Sequence, residues 1–220
     1  MSFVADISLA ALVVINLALA GVGRLPTAIR IVALQGLVIG LLPVVMTGEH
    51  WLVSAVNAVV KGAFMPVMLT YALRKSKAVR ELEPIVGFGK SVAVIFALTL
   101  ASFYFCETNH IESAIATRLA VPIAFATIST GLFLIVSRRK AITQVLGFLV
   151  FENGVSVFAA SISMEYGLIV ELGILLDVFV LVFILGIAIF EINRTFSSID
   201  TDRLNRLGDV GHLHRHGRHQ

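Results

Sequence analysis

Three ionisable side chains stand where ionisation is expensive. Lys61 interrupts the apolar run WLVSAVNAVVKGAFMPVMLTYAL, Glu152 interrupts AITQVLGFLVFENGVSVFAASIS, and Asp177 interrupts LIVELGILLDVFVLVFILGIAIFEIN. Each run is long enough to cross a bilayer, and each of the three groups falls near its middle. A charge at that depth costs roughly 2.5–3.5 kcal/mol on insertion scales, so a group kept there is a functional candidate by default. Low-dielectric surroundings disfavour the charged form of acid and base alike, which brings proton exchange within reach of neutral pH. Three such groups at one depth could pass protons, or a cation, sideways through a membrane protein. Glu171 is a further candidate, but it lies roughly 120° round the helix from Asp177 and nearer the outer face.

Other polar residues support these. Ser54, Asn57 and Lys61 recur at i, i+3 and i+7 and so share one side of their helix. Ser156 follows Glu152 at i+4 on the same side, and Asn153 is its neighbour in sequence. Gln35 stands in the middle of another apolar run; an amide does not titrate, so it reads as interhelical glue rather than as a relay. Gly36 and Gly40 make a small-xxx-small contact face beside it. Pro66, shortly after Lys61, is placed to kink that helix and disturb its hydrogen-bond ladder. The competing reading of all these groups is that they form buried pairs and interhelical hydrogen bonds that only fix packing. Two acids on consecutive helices are harder to explain that way than one.

The elements that must position them are membrane helices. The chain has 220 residues, 58% hydrophobic and 14% charged, against about 25% charged in a typical soluble domain. The apolar runs are continuous and lack the period-2 alternation of a membrane barrel. The expected fold is therefore an all-α integral membrane protein with seven spans: Phe3–Gly23, Thr27–Met46, Trp51–Leu73, Ile85–Phe105, Arg118–Val136, Ala141–Ser163 and Leu168–Ile192. The N-terminus lacks the basic region and cleavage pattern of a signal peptide, so the first run is expected to be a permanent helix.

Loop charges orient the spans. Arg24 and Arg30, then Arg74, Lys75, Lys77 and Arg80, then Arg138, Arg139 and Lys140 all fall on one side; Asp6, Glu49, Glu107, Glu112 and Glu165 fall on the other, with Arg118 as its one basic residue. The positive-inside rule puts the N-terminus outside and the C-terminus in the cytoplasm. The net charge of +3 expresses this bias and the tail, and does not indicate nucleic-acid binding. Trp51 fits an interfacial anchor.

The chain also carries a weak internal repeat. Ala33-Leu34-Gln35-Gly36-Leu37 aligns with Phe151-Glu152-Asn153-Gly154-Val155, and laying Leu52–Ala63 over Leu168–Phe179 places Lys61 on Asp177. An even number of spans separates the copies, so the repeat is parallel. This suggests an N-terminal three-helix unit (1–73), a cytoplasmic loop with a connecting fourth helix (74–117), a C-terminal three-helix unit (118–193) and a polar tail (194–220). The tail holds His212, His214, His216 and His219. A single short tract without supporting residues reads as a solvated basic tail rather than a metal site.

Several functions are excluded or disfavoured. The lone Cys106 rules out an intramolecular disulfide or a multi-cysteine cluster. No phosphate-cradling glycine loop or paired membrane histidines for haem are present. A retinal protein would need its lysine in the last span, where this chain has Asp177.

From Arg138 onward the residues carry a resemblance. Basic residues, then QVLGFLVFENGVSVF with its mid-helix acid, then a second helix with a mid-depth acid, resemble the three-helix K-type subunit of respiratory complex I. The C subunit of Mrp-type cation/proton antiporters is similar. The whole chain, with this FENG segment, more closely resembles the E component of hydrogenase-4 and formate hydrogenlyase complexes. In the K-type family two mid-helix glutamates contribute to a hydrophilic axis across the membrane arm. The first corresponds to Glu152. For the second, Asp177 has the right depth and Glu171 the right residue type. Lys61 has no counterpart in the three-helix form.

The resemblance implies a non-catalytic membrane subunit of a group 4 hydrogenase or complex I-like oxidoreductase, sited in the cytoplasmic (inner) cell membrane. Its partners would be antiporter-like and other membrane subunits. No cofactor is expected in this chain; nickel–iron and iron–sulfur centres would belong to partner subunits. A purely structural scaffold and a self-sufficient secondary transporter are the alternatives.

Overall fold

In the computed structural model of the chain, the residues described are 2–47, 51–75, 85–111, 117–138, 141–161, 182 and 186. Every regular element among them is helical. α1 spans Ser2–Gly21, α2 Leu25–Thr47 and α3 Trp51–Val59; a π-helical turn, Val60–Phe64, then leads directly into α4, Met65–Lys75. α5 spans Phe88–Thr108, α6 Ala120–Ser137 and α7 Ala141–Ser161. Five of these helices, α1, α2, α5, α6 and α7, are long and apolar enough to cross a membrane. The expected third span is a rod of 9, 5 and 11 residues joined through the π turn. Of the seventh expected span only Val182 and Gly186 are among the described residues; Asp177 and Glu171 lie outside them.

The rod breaks register for a local reason. Pro66 has no N–H to give the preceding turn, and its ring crowds the carbonyl four residues back. A wider i→i+5 turn relieves that crowding, and the Met65 N–H indeed donates to the Val60 carbonyl. The disturbance at Pro66 is therefore taken up as a π turn, and Lys61 sits inside it. Pro43 makes a similar demand on α2. There the following amide, Val44 N–H, donates to Ser54 Oγ at 3.0 Å.

Helices in lipid gain little from burying apolar surface against each other, so close packing must hold them together. α6 and α7 form the tightest pair. Gly131 of α6 lies against the backbone of Phe151, and Gly154 of α7 lies against that of Ile128; a Cβ on either would strike main-chain atoms. Gly36 and Gly40 of α2 play the same part against the π turn and α3, meeting the Lys61 carbonyl and Ala58. The α3–π–α4 rod packs along α2. α6 is buried over most of its length, whereas α5 leaves Phe96, Leu100 and Tyr104 exposed on its outer face, as suits a helix against hydrocarbon.

Two apolar clusters form the core. One gathers Leu19, Ile29, Val32, Met65, Leu69, Leu146 and Val150; the other gathers Leu9, Leu12, Ile39, Leu42, Ile123 and Val157. Between the two clusters lie buried polar residues, Gln35 on α2, Thr127 on α6, and Glu152 with Asn153 on α7, and Asn16 of α1 joins them. The protein thus has a polar layer between two greasy ones.

Candidate functional site

The polar layer has two parts. In the first, the π turn of the third rod faces α7 and presents Lys61 to it. Lys61 Nζ forms a buried ion pair with Glu152 Oε1 and also donates to Ser156 Oγ at 2.9 Å. Lys61 is 6% exposed and Glu152 1%. Ser156 stands one turn beyond Glu152 on α7, so the same face offers the ammonium a second oxygen. Removing two charges from water costs several kcal/mol for each, and mutual attraction offsets this only when geometry and extra hydrogen bonds are good. Here each charge has the other as partner, and the hydroxyl adds a bond to the ammonium.

The second part is a chain of neutral groups. Asn153 Nδ2 donates to Gln35 Oε1 at 3.2 Å, Gln35 Nε2 donates to Asn16 Oδ1 at 2.8 Å, and Asn16 Nδ2 donates to Thr127 Oγ1 at 2.9 Å. The Thr127 hydroxyl donates to the Ile123 carbonyl at 2.8 Å. All four side chains are buried, none more than 3% exposed. The chain crosses α7, α2, α1 and α6, and every donor points the same way.

Of the residues singled out from sequence, Lys61, Glu152 and Ser156 come together, and Gln35 and Asn153 meet beside them. Asn57 is half-buried a turn before Lys61. Ser54, expected on the lysine face, is engaged two turns away with the amide after Pro43. Asp177 and Glu171 lie outside the described residues. Asn16 and Thr127 were not expected. Asn16 gave a usable signal, an amide deep in an otherwise apolar helix; Thr127 gave none, because threonines satisfy themselves on their own helix.

What the arrangement can do follows from its parts. A carboxylate and an ammonium in contact can exchange a proton, and a hydroxyl beside them can hold the ammonium when the carboxylate is neutralised. The amide chain cannot titrate, but it can fix helix positions.

These features define an all-helical membrane protein with a buried ionisable pair at mid-span. No family model matches the chain, and no solved structure matches it. It is similar to an uncharacterised protein of Mycobacterium tuberculosis, 30% identical over 188 residues, covering 82% of this chain and 85% of that protein. It is also similar to the hydrogenase-4 component E proteins of Escherichia coli and Shigella flexneri, 26% identical over 156 residues, covering 70% of this chain and 71% of theirs. The chain thus shares a family with the mycobacterial protein, and its more distant homology to hydrogenase-4 component E supports an E-type assignment.

Proposed function

We propose that the chain is a membrane-arm subunit of an energy-converting hydrogenase-type assembly, organised like the membrane arm of complex I. In this reading Lys61 and Glu152 lie on its proton or cation path. The observation that carries the reading is the ion pair itself: two ionisable groups from distant parts of the chain, buried in contact between two apolar clusters. Neither would be cheap to keep in a helix that only had to span. The name of the E-component relatives supports membership of a hydrogenase complex. The K-type and Mrp resemblance of the FENG segment supports the coupling role.

In its simplest form the step is a proton exchange. A proton arriving at Glu152 neutralises the carboxylate and leaves the Lys61 ammonium on Ser156. Loss of that proton restores the pair. Asp177, with Glu171 as the other candidate, would continue the path from the seventh expected span, in the cytoplasmic membrane. Redox chemistry at nickel–iron and iron–sulfur centres would belong to partner subunits, and this chain would be non-catalytic.

Glu152→Gln tests the reading. Glutamine keeps an acceptor for Lys61 but cannot exchange the proton. The assembled complex should lose ion pumping while its soluble redox half-reaction continues; unchanged pumping overturns the relay. A second reading, a scaffold joining antiporter-like subunits to the redox arm, is favoured by the amide chain, which ties four helices together without a titratable member.

A further inference from the structure

Gln35 and Gly36 bring α2 against the residue beside Glu152 and against the main chain of Lys61. Gln35 Oε1 holds Asn153, the residue next to Glu152. The next residue, Gly36, receives the main chain of Lys61, with a Cβ there falling 2.5 Å from the Lys61 carbonyl oxygen. Gln35 is itself fixed from behind by Asn16 and, through it, by Thr127. The dipeptide Gln35-Gly36 is thus the wall against which α7 and the π turn are both registered.

We propose that Gln35, backed by Asn16 and Thr127, is a positioning residue that sets the approach of Glu152 to Lys61. The inference deepens the relay reading and rests on it for its functional meaning, though not for its test. Side chains 152 and 153 leave α7 about 100° apart, so anchoring Asn153 on α2 fixes the rotation that turns Glu152 towards the lysine. In lipid the amide has no water to fall back on, and loss of one link leaves a buried donor or acceptor unmatched. The chain is therefore stiff, and a change at Gln35 is felt at the pair. Among the described residues, Lys61 is the charged group facing Glu152. α2 has Arg30 as its one charged residue, more than a turn from Gln35; α6 has no titratable residue between Ala120 and Ser137, and on α7 Ser156 joins the pair through Lys61.

The test is the pH midpoint of the Glu152 carboxyl band in infrared difference spectra of the purified complex, with the band assigned by its absence in Glu152→Gln. Gln35→Met keeps length and volume but removes the amide. It should move the midpoint by about one pH unit, a tenfold change in proton affinity. Thr127→Val, isosteric and at the far end of the chain, should move it in the same direction by less. An unmoved midpoint in Gln35→Met overturns the proposal. Should that variant not assemble, an unmoved midpoint in Thr127→Val does so. A midpoint that moves while Glu152→Gln still pumps would leave the positioning role standing and the relay overturned. Loss of pumping in Glu152→Gln with unmoved midpoints would do the reverse.

Discussion

Lys61 and Glu152 stabilise the fold only as a pair. Lys61→Met leaves a carboxylate buried without its partner and should destabilise the protein by about 3–5 kcal/mol, read as a lower midpoint of detergent-denaturant unfolding. Replacing both, Lys61→Met with Glu152→Leu, removes the desolvation cost along with the attraction. That double variant should be clearly more stable than Lys61→Met alone, and an equal or greater loss would contradict the ion-pair account. Both residues were legible in the sequence, because an ionisable group in an apolar helix is conspicuous. Their pairing was not. Depth along each helix placed them at one level, but nothing in a single sequence orders helices sideways. The repeat makes Lys61 the counterpart of Asp177 in sequence, which names no partner for either; in the structure the described partner of Lys61 is Glu152.

The helices depend on where backbones can touch. Gly36→Leu would drive a side chain into the Lys61 carbonyl, and Gly154→Leu would drive one into the Ile128 amide. Overpacking typically costs about 1–3 kcal/mol, and more where the obstacle is backbone, so both variants should reduce folded protein recovered from membranes. Gly89→Ala is the control, since a Cβ there meets nothing within 4 Å; its yield should match the parent. Five of the expected spans were legible from apolar length, and their ends agree with α1, α2, α5, α6 and α7 to within a few residues. The π turn was not legible, because a proline announces a disturbed ladder without saying which way the ladder yields. The repeat alignment matched Gln35 with Asn153 and Gly36 with Gly154, and the structure brings the two amides into contact and gives both glycines close helix contacts. Asn16 and Thr127 escaped notice because an amide or hydroxyl is informative only once its neighbours across the helix gap are known.

At the scale of the whole molecule, two apolar clusters sandwich a polar layer, and the charge asymmetry of the loops predicts its orientation. A cysteine placed at Asn109 should be labelled by a membrane-impermeant reagent from outside, and one at Arg24 only after the cytoplasmic face is opened; the opposite pattern would invert the topology. Within that frame the Lys61–Glu152 pair is proposed to move ions as well as to hold helices. The most direct measurement is the number of ions translocated per electron pair by the complex in sealed vesicles carrying the Lys61→Met, Glu152→Leu double variant. The pair's structural part is restored there by apolar packing, and its titratable part is gone. The account predicts an assembled complex that still turns over electrons but translocates few or no ions. An assembled complex with the parent ratio would contradict it and leave the pair a clamp.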